Sequence, residues 1–387
     1  MDRPLQLLLL VNRLTPLGGA ETQLLHLSRG LASNGHLVTL CCMEASYLAP
    51  GALDQPGVSL VELKISSPGR RLLEVPRLAR LARRADLVHC TMWDPSLWGR
   101  LAAILARRPV IVADHATDRA VQISSRGTGR AAWIGRHNRL LDRFTYATVA
   151  CASSQREMLI GEGVSPAKIV HIPNGIPVAS LRANRGASLG RGDLGLPATG
   201  PLVLQVGVFR AEKNQLGALA AFERVRERVP DAHLVFVGDG PMRAEVEAAA
   251  SARNAGAWAH FLGSREDVGA LLAHADLMLL PSTSDAMPMT VLEAMAVGAP
   301  VLASDVGDLR QALGAGGILV PPGDGTALAR ECTRLLLDPD LRRRLGTTAA
   351  ERAMDFDSSL MVRRYEALFD AARQGSEPIP AVAGAGQ

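Results

Sequence analysis

Short apolar runs bounded by turn residues alternate along the chain with longer stretches of helical period. Runs of that kind without polar alternation fit strands buried on both faces, and parallel α/β units place a helix between each pair. In the first half the predicted strands are LQLLLLV, LVTLCC, VSLVELK, DLVHC, PVIVAD, ATVACAS and KIVHIPNG. A second series follows in PLVLQVGV, AHLVFVGDG, AHFLGS, ADLMLLPS, APVLASD and GGILVPPGD, with helical segments such as NQLGALAAFERVRERV between them. Residues 181–200 are rich in glycine and small polar residues without apolar period, which predicts a linker.

The expectation is an α/β protein of two Rossmann-like, doubly wound domains facing a central cleft at the carboxyl ends of their strands. The first spans 1–180 and the second 201–358. An amphipathic helix over 359–374 is expected to pack near the domain junction, followed by a disordered tail over 375–387. At 387 residues and 48% hydrophobic content, the chain is long enough for two such cores.

Charge adds an asymmetry. Residues 1–190 carry 23 Lys/Arg against 13 Asp/Glu, and the remainder 19 against 25, giving about +10 and −6 and the overall +4. Basic residues gather beside leucines in 70–84 and, with Trp133, in 126–143. Such stretches suit either an anionic membrane surface or ordinary solvated helix faces. Nucleic acid is not the expected partner, because aromatic residues are only 4% and no recognition motif accompanies the charge.

No apolar run is long enough to span a bilayer. The apolar N-terminus lacks a small-residue cleavage site and reads as a first strand, so a cytoplasmic protein, peripheral on the membrane at most, is expected. Five scattered cysteines show no metal-ligand spacing. All but three of the 42 basic residues are arginines, which singles out Lys64, Lys168 and Lys213.

The richest segment is STSDAMPMTVLEAMAVGAP, residues 282–300. Pro288 suits a helix start, and the amides of Met289, Thr290 and neighbours such as Met287 form a ready anion site. Asp285 and Glu293 bracket that start, as acceptors for sugar and ribose hydroxyls or as plain helix caps. Gly18 and Gly19 precede another helix, either as a tight turn or to let backbone approach a phosphate. His115, after PVIVAD, and His89 and Asp94, in LVHCTMWDPSLWG, lie near other predicted strand ends.

The pattern SxxDxxPxxxxEAMAxGxPVxASDVG resembles the retaining nucleotide-sugar glycosyltransferases of family 4, which have the two-domain GT-B fold and two acids separated by seven residues. LTPLGGAETQLLHLSRGLASNGHLV, HIPNGI, LVFVGDGPMRAEVE, FLGSREDVGALLAHADLMLLPS and LVPPGDGTALA extend the resemblance through both halves. Asp285-Ala286 stands where the family has Glu-Gly, and Val208 where it has arginine, so that duty falls to Arg210.

The resemblance implies a donor site of Gly18, Gly19, Arg210, Lys213, Met287, Pro288, Met289, Thr290 and Glu293. Arg210 and Lys213 would hold the diphosphate without a divalent metal, and no cofactor is expected. His115 and Asp285 would organise the reacting sugar, with His89 and Asp94 on the acceptor side. The implied activity is transfer of a hexose or N-acetylhexosamine from a UDP-sugar, or from GDP-mannose, to a glycan or lipid-linked acceptor. A nucleotide-sugar epimerase and a non-catalytic sugar-nucleotide-binding protein are the alternatives.

Overall fold

The computed structural model describes residues 3–15, 18–49, 51–65, 71–115, 129–185 and 190–378, with backbone alone for 129–135 and 184–185. The predicted positions 16, 17, 70, 126–128 and 379–387, and the Trp133 side chain, lie outside the described residues. The chain forms two compact units, Met1–Gly175 together with Ser358–Gln387, and Ile176–Asp357.

The first unit is built on seven parallel strands: β1 (Gln6–Val11), β2 (Leu37–Cys42), β3 (Val58–Glu62), β4 (Leu87–Thr91), β5 (Val110–Asp114), β6 (Ala147–Ala150) and β7 (Ile169–His171). Their spatial order is β3-β2-β1-β4-β5-β6-β7. The order reverses between β1 and β4, the crevice where open α/β sheets characteristically take ligands. β1 explains its own unbroken apolar run: Leu7, Leu9 and Val11 belong to one core, and Leu8 and Leu10 to another. A polar residue at any of these positions would be buried, which is why alternation is missing.

The second unit holds β8 (Leu202–Val206), β9 (His233–Val237), β10 (Ala259–Phe261), β11 (Leu277–Leu280), β12 (Val301–Ser304) and β13 (Gly317–Val320). Their order is β10-β9-β8-β11-β12-β13, again all parallel, with the reversal between β8 and β11. Among the described residues, twelve of the thirteen strands fall within the runs predicted from sequence, and β4 runs one residue beyond its run, to Thr91.

One segment differs from expectation. The described residues of 181–200 do not form a free linker: Val178–Arg185 is helical, Leu194 and Leu196 are buried, and Arg191 donates to Gly200 O at 2.8 Å within the second unit. The two buried leucines follow no helical or strand period, so the pattern hid them. The helix Ser358–Gln374 joins the first unit, where Met361, Val362, Tyr365, Leu368, Phe369 and Ala372 complete the core under β1. Each large side chain so covered contributes roughly 1.5–3 kcal/mol of hydrophobic stabilisation. Glu366 of this helix accepts hydrogen bonds from Asn34 Nδ2 at 2.8 Å and His36 Nε2 at 3.1 Å, fixing its register. No helix among the described residues is long and apolar enough to cross a membrane.

Candidate functional site

In the second unit the loops after β8 and β11 flank the reversal point and are tied together by backbone. Asn214 adopts the left-handed conformation at φ 52° and caps the helix Gln215–Arg226. Its Nδ2 donates to Pro281 O at 3.2 Å, and Thr283 N donates to Glu212 O at 2.8 Å. Gln205 Nε2 donates to Lys213 O at 2.8 Å, so β8 itself holds the lysine's backbone.

These loops bring two of the predicted residues together. Lys213 Nζ lies 2.5 Å from Asp285 Oδ2, with side-chain exposures of 21% and 13%. Charge-assisted pairing in a partly dehydrated place fixes both side chains. The ammonium's three donors outnumber the one this pair uses, which leaves capacity for an anion. Arg210 is far more exposed, at 55%, and among the described residues approaches the carboxylate of Glu212 alone, at 4.0 Å.

Asp285 is also held from behind. Gly307 sits at φ 56°, and a Cβ there would lie 2.2 Å from both Asp285 O and Ala286 O. Asp308 N donates to Ala286 O at 3.0 Å. Glycine is thus required twice over, by conformation and by the approach of the acid's own backbone.

The helix Met289–Ala296 follows Pro288, which takes the capping position at φ −67° and ψ 124° rather than the first helical one. Met289 and Thr290 are first-turn donors with no carbonyl to bond inside the helix. Met287, Pro288 and Met289 bury their side chains, so this segment presents backbone to a ligand. One turn on, Glu293 is partly covered, and among the described residues no hydrogen bond or ion pair reaches its carboxyl group. Burial raises its pKa to about 7.

In the first unit Gly18 precedes the helix Gly19–Ser33 at φ −90°, and a Cβ on it would meet the Glu21 carboxylate at 1.9 Å. Left-handed backbone does not require this glycine, and the Glu21 carboxylate, the end of a flexible side chain, can move aside for a Cβ. His115 follows β5, and burial lowers its pKa to about 4, which keeps the ring neutral at physiological pH.

His89 departs from its prediction as an acceptor-lining residue. It lies within β4, is 1% exposed, and packs edge-on to Tyr365 at 5.4 Å between ring centroids. Burial and then the neighbouring His115 lower its pKa to about 3, making it a neutral core residue. Asp94 stands in the first turn of the helix Trp93–Ala106 and is ion-paired with Arg71, a partner the sequence did not suggest.

Both halves match known family models. "Glycosyltransferase Family 4" matches residues 17–180, and "Glycosyl transferases group 1" matches residues 190–352. The chain belongs to the family 4 glycosyltransferases.

A 180-residue segment of this glycosyltransferase is 32% identical to the N-acetyl-alpha-D-glucosaminyl L-malate synthase of Bacillus anthracis, covering 46% of this chain and 47% of that enzyme. The chain therefore matches about half the length of that relative. A longer match, 27% identical over 391 residues, covers 93% of the chain and 95% of the phosphatidyl-myo-inositol mannosyltransferase of Mycobacterium leprae. The crystal structure of Anabaena HepE in complex with UDP and glucose superposes with a TM-score of 0.80 at 20% identity, covering 95% of this chain and all of that one. At that identity the likeness shows the fold, GT-B.

Sequence reasoning about this glycosyltransferase missed Arg71, Glu44 and Asn12. Arg71 Nη2 donates to Glu44 Oε1 at 2.9 Å and to Asn12 Oδ1 at 3.4 Å. The available signal was only that Asn12 and Glu44 lie one and two residues beyond predicted strands and that Arg71 stands in the basic stretch 70–84.

Proposed function

We propose that the chain transfers a sugar, with retention at the anomeric carbon, from a nucleoside diphosphate donor bound by the second unit to a hydroxyl of a glycan or lipid-linked acceptor. The observation that carries this reading is the Lys213–Asp285 pair at the β8/β11 reversal. Lys213, with the more exposed Arg210, meets the charge that grows on the departing diphosphate, while Asp285 accepts from the sugar's hydroxyls. The backbone amides of Met289 and Thr290 add a partial positive charge for the phosphate. Glu293 accepts from the ribose. In the first unit, taken by itself, the start of the helix at Gly18 and Gly19 is suited to a phosphate and neutral His115 to a sugar hydroxyl.

In this reading the bond from the anomeric carbon to the diphosphate breaks and a bond to the acceptor oxygen forms on the same face. The acceptor's proton passes to the departing phosphate oxygen. Neither a protein nucleophile nor a divalent metal is needed, because the two cations carry the charge. UDP-sugars are the first expectation, in keeping with the ligands of the HepE crystal, and GDP-mannose the second.

Thermal unfolding in chelating buffer with a panel of nucleotide sugars tests the donor site. A ligand at a hundred times its Kd adds about 2.7 kcal/mol to native stability. The matching UDP-sugar, or GDP-mannose, is expected to raise Tm by several degrees. A panel without any shift would sink the proposal.

The helix Arg71–Arg84 supports a peripheral membrane role. Leu72 and Leu73 are 62% and 75% exposed, and Arg77, Arg80, Arg83 and Arg84 share the exposed side. Arg108 extends the basic surface by donating to Arg83 O at 3.0 Å. Each such arginine near an anionic surface is worth about 1 kcal/mol, weakened by salt. Co-sedimentation with phosphatidylglycerol vesicles is expected at low salt and lost at high salt. Equal recovery with neutral vesicles would count against the reading.

A further inference from the structure

We infer that Gln205, buried in β8, is a positioning residue for the Lys213 ammonium: it holds the lysine's backbone from beneath, so that the side chain meets the leaving diphosphate in one fixed place. The inference rests on the donor reading above and adds to that site a residue that touches no substrate.

Gln205 is out of character with its strand. Leu202, Val203, Leu204 and Val206 are all buried and apolar, and the residue paired with Gln205 on β9 is Phe236, in the core of the second unit. At 3% exposure the glutamine has lost water from both of its polar atoms. Only one of them finds a partner. Nε2 donates to Lys213 O at 2.8 Å, whereas Oε1 has none among the described residues. An amide with an orphan oxygen is worse for the fold than a methionine of similar length, because its dehydration is only half compensated. The sheet needs nothing from this side chain, since the ladder is made of backbone. What the amide supplies, and an apolar residue could not, is a donor for Lys213.

That donor completes a cage around one residue. Lys213 N donates to Arg210 O at 3.0 Å, closing the short 3₁₀ turn Ala211–Lys213, and Gln205 holds the carbonyl on the other side. The chain neighbours Glu212 and Asn214 are tied to the loop after β11, through Thr283 N and Pro281 O. At the far end of the loop a second buried glutamine, Gln215, donates from Nε2 to Val208 O at 3.1 Å. Phe209, between them, packs against Phe236 and Phe261. Lys213 therefore leaves a fixed backbone, and its stem ends at the Asp285 carboxylate. Preorganised charge depends on such fixing, since a displacement of about 1 Å costs on the order of a hundredfold in rate.

The test compares Gln205→Met, which keeps the length and removes the donor, with Gln205→Glu, both in the full chain. Lysine labelled with carbon-13 at Cε gives three NMR signals, because Lys64, Lys168 and Lys213 are the only lysines, and Lys213→Arg assigns the third. In the unsubstituted protein UDP or GDP is expected to move the Lys213 signal and leave the other two in place. In Gln205→Met the two Hε shifts of Lys213 should collapse toward one averaged value. In the same variant kcat for release of UDP from UDP-glucose, or of GDP from GDP-mannose, should fall about tenfold or more, with donor KM changed about twofold at most. Its Tm should stay within a few degrees, since the orphan oxygen leaves with the donor. Gln205→Glu supplies the conservative rescue, because a protonated carboxyl donates to Lys213 O and a carboxylate cannot. Burial favours the protonated form, so kcat relative to the unsubstituted protein should be close to normal at pH 5.5 and fall about tenfold by pH 8. Unchanged kcat in Gln205→Met, or a loss of kcat with the Lys213 signal unaltered, would overturn the inference while Lys213→Ala still tests the donor site. So would a flat relative rate in Gln205→Glu. A Lys213 signal indifferent to both nucleotides in the unsubstituted protein would instead sink the donor reading, and this inference with it.

Discussion

Lys213→Ala is expected to lower kcat by on the order of a thousandfold, the scale seen when one preorganised donor to a developing negative charge is lost. The effect has two parts that measurement can separate. Removing the ammonium deprives the leaving diphosphate of its cation, and it also strands the Asp285 carboxylate, which is only 13% exposed. The stranded charge costs roughly 1–3 kcal/mol of stability. In the double variant Lys213→Ala/Asp285→Ala the stability loss should shrink, because no unpaired charge remains, while kcat stays at least as low as in Lys213→Ala. Normal turnover in Lys213→Ala, read from initial rates with saturating donor, would remove the lysine from the site.

Glu293 should impose the acid limb on donor binding. Its pKa near 7 means that the carboxylate available above pH 8 is mostly protonated by pH 6. If the carboxylate accepts from ribose, the nucleotide Kd should rise about tenfold between those values, following the usual weight of one titrating group. His115, neutral above pH 5, adds nothing to this limb.

Stability should run the other way. A carboxyl whose folded pKa exceeds the ordinary 4.5 binds its proton more tightly when folded, so its favourable contribution is complete below pH 4.5 and is lost as pH rises through 7. Glu293→Gln should therefore stabilise the unliganded protein at pH 8 by roughly 2 kcal/mol, discounted for partial exposure. The same variant should bind nucleotide more weakly and without the acid limb. Calorimetric titration and thermal unfolding at pH 6 and 8 check both halves; a flat Kd in the unsubstituted protein would dismiss the ribose role.

The thirteen strands were legible because each is an apolar run stopped by a turn signal, and parallel sheets demand such runs on both faces. Lys213 was legible for a different reason, as a rare lysine in an arginine-rich chain. What escaped the sequence was long-range. His89 looked like a strand-end group, yet Tyr365 and Phe369, far along the chain, cover it. Arg71 joins Asn12, Glu44 and Asp94 from separate segments, and no local period announces such a meeting. Leu194 and Leu196 were hidden among glycines by the same lack of period.

The return of Ser358–Gln374 to the first unit has a consequence for how the protein is made. A ribosome completes the second unit before it releases the residues that finish the first core. Until then β1 is missing the cover of Tyr365, Leu368 and Phe369, and Leu7 and Leu9 have only part of their packing. The domain synthesised first must therefore be the last to close, and the cell must shelter its open sheet for the whole time the other domain takes to emerge.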